Sequence, residues 1–297
     1  MLGVVNLDKP VGPTSHDMVG LLRRLTGMRR IGHAGTLDPL ASGVLPVLIG
    51  PATRFSEELT GGRKRYEATA RLGETSATDD AEGPITAVDA PLPSGAEIVD
   101  ALGTFTGTFD QRPPAFSARK HEGRTAHRSA RAGEPLDLPV RTVTVDAIEL
   151  VGIERGERTV DVRFDLRCGP GTYVRSIARD LGERLGCGGH LQALRRTEAA
   201  GLRIEDAVTP HQLEEAAAAG RLSGHVLPVA VLLPLPAVAL SGEEAWRFVH
   251  GTEQATPPGT PDGKVKVVTT DERLLGIGWS AEGLLRPAKV LPVEAAG

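Results

Sequence analysis

Apolar and polar positions in the first half of the chain change their period several times, which indicates a mixture of strands and helices. Apolar or alternating runs predict three strands here: residues 2–7, 44–49 and 65–72. Side chains suited to helix capping predict two helices: from Thr14 or Ser15 to about Leu25, and from the capping box at Ser94 to about Leu102. This half of the chain is therefore predicted to combine both kinds of element.

The second half continues the mixture and then changes in composition near Pro234. Its first part predicts two neighbouring antiparallel strands and two helices: 140–151, 159–166, 173–185 and 209–219. After the change, a short helix from Ser241 to Gly251 precedes three more predicted strands: 264–269, 274–279 and 288–293. The pattern predicts an α+β fold with two domains, residues 1–235 and a small β-rich unit at 236–297.

Composition and charge are ordinary for a globular protein, but the charges are clustered. The chain has 297 residues, of which 40% are apolar and 24% charged, with a net charge of −4. Between residues 112 and 131 one acid, Glu122, stands among six basic residues: Arg112, Arg119, Lys120, Arg124, Arg128 and Arg131. Basic clusters beside Gly- and Pro-containing loops indicate a surface that contacts phosphates.

Several classes of protein are disfavoured by the sequence. No signal sequence is apparent, and prolines interrupt the apolar stretch at 226–240, so we expect a cytoplasmic protein without a membrane contact. Cys168 and Cys187 form neither a disulfide framework nor a metal-type pair. The chain shows no clustered metal-ligand set, P-loop or G-x-G-x-x-G motif, so we expect no metal and no cofactor.

The most informative segment is the loop from Gly32 to Gly43, which places Asp38 between glycines and prolines, ahead of an apolar run. An Asp before a Pro is commonly only a turn residue. The chain has just two tyrosines, Tyr66 and Tyr173, and each stands beside a basic or Gly-rich stretch. A tyrosine often simply fills a core, yet rings beside cations also suit the stacking of nucleobases.

Six motifs extend these observations along the chain: Asn6-Leu7-Asp8-Lys9-Pro10-x-Gly12-Pro13-Thr14-Ser15, Gly32-His33-x-Gly35-Thr36-Leu37-Asp38-Pro39-Leu40-Ala41-Ser42-Gly43-Val44-Leu45, Lys64-x-Tyr66, Gln111-x-Pro113-Pro114-x-x-Ser117-Ala118-x-Lys120-x-x-Gly123, Gly171-Thr172-Tyr173-Val174-Arg175 and Leu194-Arg195-Arg196. Through them, residues 1 to about 235 resemble the bacterial TruB-type tRNA pseudouridine-55 synthases. The last 60 or so residues resemble a PUA-type RNA-binding domain. The resemblance implies a mixed, mainly antiparallel sheet with flanking helices and loops, followed by a PUA-like domain.

The resemblance also implies a reaction and its catalytic residues. Pseudouridine formation breaks the C1′–N1 bond of uridine, rotates the base and reconnects it through C5, without redox change or cofactor. Asp38 would act as nucleophile at the base or the sugar, or stabilise positive charge at the sugar. Arg175 would supply the counter-charge that a carboxylate in a closed pocket needs. Tyr173 would accept the C5 proton or position the base.

The remaining implied roles concern substrate binding. Tyr66 would stack on the flipped uridine and Leu194 would line an apolar wall, while His33 would fill space near the base or hold the extruded nucleotide. Residues 108–135 would form an RNA-contacting insertion that reaches phosphates through three basic residues: Arg119, Lys120 and Arg124. The chain departs from the family pattern at His127, where tyrosine is common, and at Gly169-Pro170, where Ser-Lys is common.

The first functional hypothesis is a stand-alone, monomeric enzyme that acts on the T-arm of tRNA without a guide RNA or protein partner. A second is a tRNA-folding chaperone with secondary catalysis, and a third is the related guide-RNA-dependent synthase of archaea and eukaryotes. The enzyme is favoured over the chaperone because a protein that only binds RNA has no need of a buried Asp38–Arg175 pair.

Overall fold

The computed structural model describes residues 1–116, 120–121, 124–125 and 138–292. Six α-helices lie within these ranges: α1 (Ser15–Thr26), α2 (Ser56–Thr60), α3 (Gly95–Gly103), α4 (Val174–Arg184), α5 (Pro210–Ala218) and α6 (Gly242–Val249). The part of the chain so described contains no helix with the length and apolar content needed to cross a membrane.

Thirteen strands precede residue 204 in the described ranges: β1 (Gly3–Lys9), β2 (Ile31–His33), β3 (Ala41–Ile49), β4 (Lys64–Leu72), β5 (Glu74–Ser76), β6 (Ile85–Ala87), β7 (Gly107–Gln111), β8 (Lys120–His121), β9 (Arg124–Thr125), β10 (Arg141–Arg155), β11 (Val160–Cys168), β12 (Gly189–Ala199) and β13 (Leu202–Arg203). Nine of them form one sheet in the order β1-β3-β12-β4-β11-β10-β7, with β2 on β3 and β13 on β12. Only the β3–β12 pair in it is parallel, so the predicted mixed, mainly antiparallel sheet is confirmed.

Five further strands form a second sheet: β14 (Ala237–Leu240), β15 (Gln254–Ala255), β16 (Gly263–Thr269), β17 (Leu274–Ala281) and β18 (Leu284–Val290). The prediction of a β-rich C-terminal unit is therefore confirmed. The strand predicted over 288–293 is misplaced, because pairing of β18 with β17 already begins at Leu284. Glu282 and Gly283 both have positive φ, at 53° and 75°, and this tight turn reverses the chain directly after β17.

Capping side chains located the starts of three helices, α1, α3 and α5, correctly, whereas α2 was not predicted. The side chains of Thr14, Ser94 and Thr209 each accept a hydrogen bond from the backbone N–H three residues later, and each forms a complete capping box. The central strand β12 was not predicted. Its sequence, Gly189 to Ala199, is rich in helix formers and lacks an alternating pattern, so that only its pairing with β3 and β4 makes it a strand.

Close backbone contact fixes α4 against β12. A Cβ atom on Gly182 would lie 2.1 Å from the carbonyl carbon of Gly188, so this helix can approach the strand only because residue 182 has no side chain. The apolar face of α4 is buried in the core over the sheet through Ile177, Ala178 and Leu181. This packing holds the first turn of α4, which carries Arg175, over the middle of the sheet.

Candidate active site

The loop that carries Asp38 connects β2 to β3 and is held by two side chains from other elements. The guanidinium of Arg196 donates to the carbonyl oxygens of Gly35, at 2.9 Å, and Thr36, at 3.4 Å. From α1, the Ser15 hydroxyl donates to the Leu37 carbonyl at 2.9 Å and accepts from the Leu37 N–H at 2.8 Å. Asp38 therefore follows three residues whose backbone is fixed.

The structure brings Asp38 and Arg175 together. An Nη atom of Arg175 lies 2.9 Å from a carboxylate oxygen of Asp38, whose side chain is 42% exposed, whereas that of Arg175 is 6% exposed. The guanidinium also donates to the carbonyls of Thr78, at 3.1 Å, and Phe116, at 2.9 Å, and lies 3.4 Å from the buried carboxylate of Asp80. Arg175 is thus fixed between one accessible acid and one buried acid, and its guanidinium can move little.

A cavity of about 260 Å³ opens beside this ion pair, and we call it the inner cavity. Five of the predicted site residues line it together: Asp38, Tyr66, Tyr173, Arg175 and Leu194. Strand pairing explains part of this arrangement, because β4 and β12 place Tyr66 directly opposite Arg196 and Ala68 opposite Leu194. Burial raises the pKa of the Tyr66 phenol above its usual range, so the ring is neutral at physiological pH.

The backbone of Tyr173 is fixed by Gln111 at the end of β7. The Gln111 side chain accepts from the Tyr173 N–H at 2.9 Å and donates to the Tyr173 carbonyl at 3.0 Å. Tyr173 is also the N-cap of α4 and follows Gly171, which has a positive φ of 86°. This clamp fixes the backbone from which the Tyr173 ring projects, two residues before Arg175.

His33 lies in a different place from the five residues of the inner cavity. It lines an adjoining cleft of about 740 Å³, the outer cleft, which shares Asp38 and Arg175 with the inner cavity. Burial first, and then the charges of Arg196 and His16, lower the pKa of His33 below its usual range. A neutral imidazole therefore lines the cleft that Asp38 also borders.

Sequence reasoning assigned no role to three charged residues that the structure places at the site. Asp80, buried against Arg175, belongs to none of the motifs and is close only through the tertiary fold. Lys64 and Arg196 stand in two of the motifs, and both line the inner cavity. Lys64 stands two residues before Tyr66 on β4, and Arg196 stands two residues after Leu194 on β12. Because residues two apart on a strand share a face, this spacing could have identified Lys64 and Arg196 from the sequence.

Of the three basic residues predicted to contact RNA, Lys120 and Arg124 are described, as members of the paired strands β8 and β9. Arg119 lies outside the described residues, as does His127, one of the departures from the family pattern. The beginning of the predicted insertion, residues 108–111, belongs to β7 at the edge of the main sheet. Within the described ranges, no group of three or more His, Cys, Asp or Glu residues is arranged to hold a metal ion.

Three family models match the chain in succession. They are the N-terminal domain of TruB family pseudouridylate synthases at residues 23–174, the tRNA pseudouridylate synthase B C-terminal domain at 175–234, and the C-terminal domain of pseudouridine synthase II TruB at 236–291. Together they include every strand of both sheets except β1, and they contain Asp38, Tyr66, Tyr173, Arg175 and Leu194.

Whole-chain relatives agree with the family models. The chain is 43% identical over 295 residues to a tRNA pseudouridine synthase B of Acaryochloris marina, covering 99% of this chain and 100% of that protein. It is 42% identical over 300 residues to the protein of the same name from Burkholderia pseudomallei, covering 99% and 98%. Among solved structures, a Cbf5–Nop10–Gar1 complex contains a chain that is similar with a TM-score of 0.75 and 28% identity, covering 99% of this chain and 86% of that one. The chain belongs to the TruB family of pseudouridylate synthases.

Proposed function

We propose that this protein isomerises uridine to pseudouridine at position 55, in the T-arm loop of tRNA, without a guide RNA or a partner protein. One observation carries the proposal: the Asp38–Arg175 ion pair forms part of the wall of an inner cavity that also contains two tyrosines and a leucine. The stand-alone form is supported by the 42–43% identity to tRNA pseudouridine synthases B, against 28% to the chain of the Cbf5 complex.

Asp38 is the proposed nucleophile. Its carboxylate is the exposed member of the ion pair, and it borders both the inner cavity and the outer cleft. Among the described residues that line the inner cavity, Asp38 is the only acid. Arg175 supplies the counter-charge and fixes the carboxylate, which attacks either the base or C1′.

The other residues of the inner cavity are proposed to receive the flipped base. Taking a base out of a folded RNA costs about 3 kcal/mol. Stacking on an aromatic ring returns about 1–3 kcal/mol per base, and Tyr66 is the buried ring placed to provide it. Leu194 forms an apolar wall, and Tyr173 accepts the proton from C5 or positions the base. His33, in the outer cleft, is proposed to contact the extruded nucleotide or its neighbours.

A division of labour between two domains is part of the proposal. Residues 1–235 would catalyse, with the segment around 108–135 contacting RNA through Arg119, Lys120 and Arg124, and residues 236–297 would add RNA affinity. Support comes from the two separate sheets and from the family models, which change between residues 234 and 236.

The decisive experiment incubates the full chain with unmodified tRNA transcript and locates pseudouridine at single-nucleotide resolution. We expect modification at position 55. Asp38→Asn should lower the single-turnover rate by at least about 10⁴-fold, which corresponds to about 5.5 kcal/mol of barrier, while RNA affinity is retained.

Asp161→Asn is the matched control, because Asp161 forms an ion pair with Arg71 at 2.7 Å and lines neither the inner cavity nor the outer cleft. Its rate should stay within about threefold of the unmodified chain. An active Asp38→Asn variant would contradict the nucleophile assignment. Tight tRNA binding without any pseudouridine would favour the chaperone.

A further inference from the structure

Two buried cations stand side by side in the wall of the inner cavity. The residues are 9% exposed for Lys64 and 1% for Arg196, and both line the cavity with Asp38. A Cβ atom on Gly35 would lie 3.5 Å from Nη1 of Arg196 and 3.8 Å from Cε of Lys64, so both side chains reach the same point of the Asp38 loop. Two positive charges are therefore concentrated next to the proposed position of the base.

Carbonyl oxygens, not carboxylates, surround these two cations. Lys64 Nζ donates to the carbonyls of Thr60, at 2.8 Å, and Gly62, at 2.7 Å, which leaves one of its three N–H donors. Arg196 donates to three carbonyls, those of Val44, Gly35 and Thr36. Among the described residues, neither cation has an acidic partner within ion-pair distance, and burying such charges is costly. An anion that is present only during the reaction would compensate them.

We propose that Lys64 and Arg196 stabilise the negative charge that builds on the uracil ring during isomerisation, with Lys64 acting through its remaining N–H. This inference deepens the proposed function and rests on it. The two cations act as preplaced charges that are themselves buried, and such fixed charges interact more strongly with a developing anion than charges in water do.

Both routes open to Asp38 place negative charge on the ring. If a carboxylate oxygen bonds to ring C6, the electron pair of the C5=C6 bond moves towards C5 and O4. If instead the C1′–N1 bond breaks, with Asp38 bonding to C1′, its electron pair remains on N1 and is shared with O2 and O4. On both routes the C1′–N1 bond breaks and C5 bonds to C1′ and loses its proton. The bond to Asp38 also breaks, which regenerates the carboxylate, and N1 gains a proton, so the reaction is balanced.

The protonation of Lys64 provides a readout that a purely structural role would not affect. Burial first, and then the charge of Arg196, lower the pKa of Lys64 to about 8. The groups that face it are Arg196 from β12, Cys168 opposite it on β11, and Tyr66 from its own strand. Because the charged form is the one that stabilises an anion, the rate should fall as the pH rises through about 8.

The test measures single-turnover rates with saturating unmodified tRNA transcript between pH 6.5 and 9.5. Lys64→Arg keeps its charge over this range, so it should remain active and lose the fall above pH 8. Lys64→Met should be slower by about 10²–10³-fold at pH 7, with an RNA dissociation constant and salt dependence close to those of the unmodified chain. Lys266→Met is the control, because Lys266 also donates to two carbonyls but lies in the C-terminal sheet.

Several results would overturn the proposal. A Lys64→Met variant with full rate but weaker, less salt-dependent RNA binding would place Lys64 on a phosphate. If the rate of the Lys64→Arg variant still falls near pH 8, the titrating group is not Lys64. This measurement tests the proposal even if Lys64→Met does not fold. If the unmodified chain itself forms no pseudouridine, the proposed function is overturned together with this inference. If only the variants behave otherwise than expected, this inference fails and the proposed function stands.

Discussion

At the residue scale, the site depends on lysines and arginines that are buried against their usual preference. Lys9 is fully buried, and its Nζ donates to the carbonyls of Pro10, at 2.8 Å, and Pro13, at 2.7 Å, which closes the turn between β1 and α1. Burial lowers the pKa of Lys9 to about 8, against the opposing charges of Asp38 and Glu82. Lys64 has a similar pKa for a similar reason. Both lysines therefore lie near their titration midpoints at slightly alkaline pH.

These pKa values predict how stability depends on pH. Between pH 8 and 9 the unfolded chain holds its lysine protons, whose ordinary pKa is near 10.5, while the native chain releases those of Lys9 and Lys64. Because the unfolded state then binds more protons, the free energy of unfolding should rise with pH in this window, by about 1 kcal/mol. The raised pKa values of the Cys168 and Cys187 thiols oppose the rise and are included in that figure.

Urea unfolding at pH 8.0, 8.5 and 9.0 measures this slope. Lys64→Arg removes one of the two lysines, each of which contributes about 1 kcal/mol before the thiols are subtracted, and should therefore lose most of the rise. A slope of zero or below in the unmodified chain would show that the two ammonium groups do not both lose their protons in the native state.

At the element scale, the parallel pair of β3 and β12 brings the Asp38 loop to its partners. It places Leu194, Arg195 and Arg196 beside the first residues of β3, just after the loop. The approach is so close at Gly43 that a Cβ there would lie 2.2 Å from the carbonyl oxygen of Arg196, and Gly43 also has a φ of +102°. One residue without a side chain thus permits the pairing on which the site depends.

Gly43→Ala should therefore destabilise the protein more than backbone strain alone would. Gly107 is the matched control, since its φ is +104° and no atom of the described residues lies within 4 Å of the position of its Cβ. We expect Gly107→Ala to cost about 1–3 kcal/mol and Gly43→Ala at least about 2 kcal/mol more, because the strands must also separate. Urea unfolding of both variants gives the difference, and equal losses would show that β3 and β12 tolerate the added methyl group.

At the scale of the whole molecule, the two sheets share one hydrophobic cluster. Four residues of the C-terminal part pack into the same cluster as Val4, Phe55 and Leu59: Val268, Leu274, Ile277 and Leu291. Beside it Glu58, whose side chain is 5% exposed, forms ion pairs with Lys264 at 2.8 Å and Lys289 at 3.1 Å. Removing the C-terminal sheet would expose this cluster, so point substitutions are the better probe of its role.

Glu58→Gln should lower the free energy of unfolding by about 1 kcal/mol, because two partly exposed lysines lose a buried partner. Glu57→Gln is the control, since the Glu57 side chain is 82% exposed and its one ion pair within the described ranges is with Lys289. Its effect should be within about 0.5 kcal/mol of zero. Equal losses in the two variants, measured by urea unfolding, would show that the buried acid does not join the two sheets.

RNA binding is the second property of the whole molecule that can be tested. Replacing Arg119, Lys120 and Arg124 together with Ala should weaken tRNA binding and flatten its dependence on salt, by about 0.9 in the logarithmic slope for each phosphate that the variant no longer neutralises. Arg158→Ala, an exposed position in the turn between β10 and β11, should leave the slope unchanged. A triple variant with an unaltered slope would remove this segment from the RNA interface.

The sequence by itself determined those helices and strands whose signals lie within a few neighbouring residues. It also determined which residues are candidates for the active site. Capping side chains at Thr14, Ser94 and Thr209 located helix starts because their hydrogen bonds span only three residues. Alternation located β4 and β11 because each has one face in the core. The motifs named Asp38, Tyr66, Tyr173, Arg175 and Leu194, all of which line one cavity.

The tertiary structure alone decided which long-range contacts bring those candidate residues together. Arg196 holds the carbonyl of Gly35 from 161 positions away, and Arg175 reaches that of Thr78 from 97 away. No local pattern records such contacts, because they arise when separate strands pair and a helix packs across them. For the same reason β12 is a strand despite its helix-forming residues, and Asp80 stands behind Arg175 without belonging to any motif.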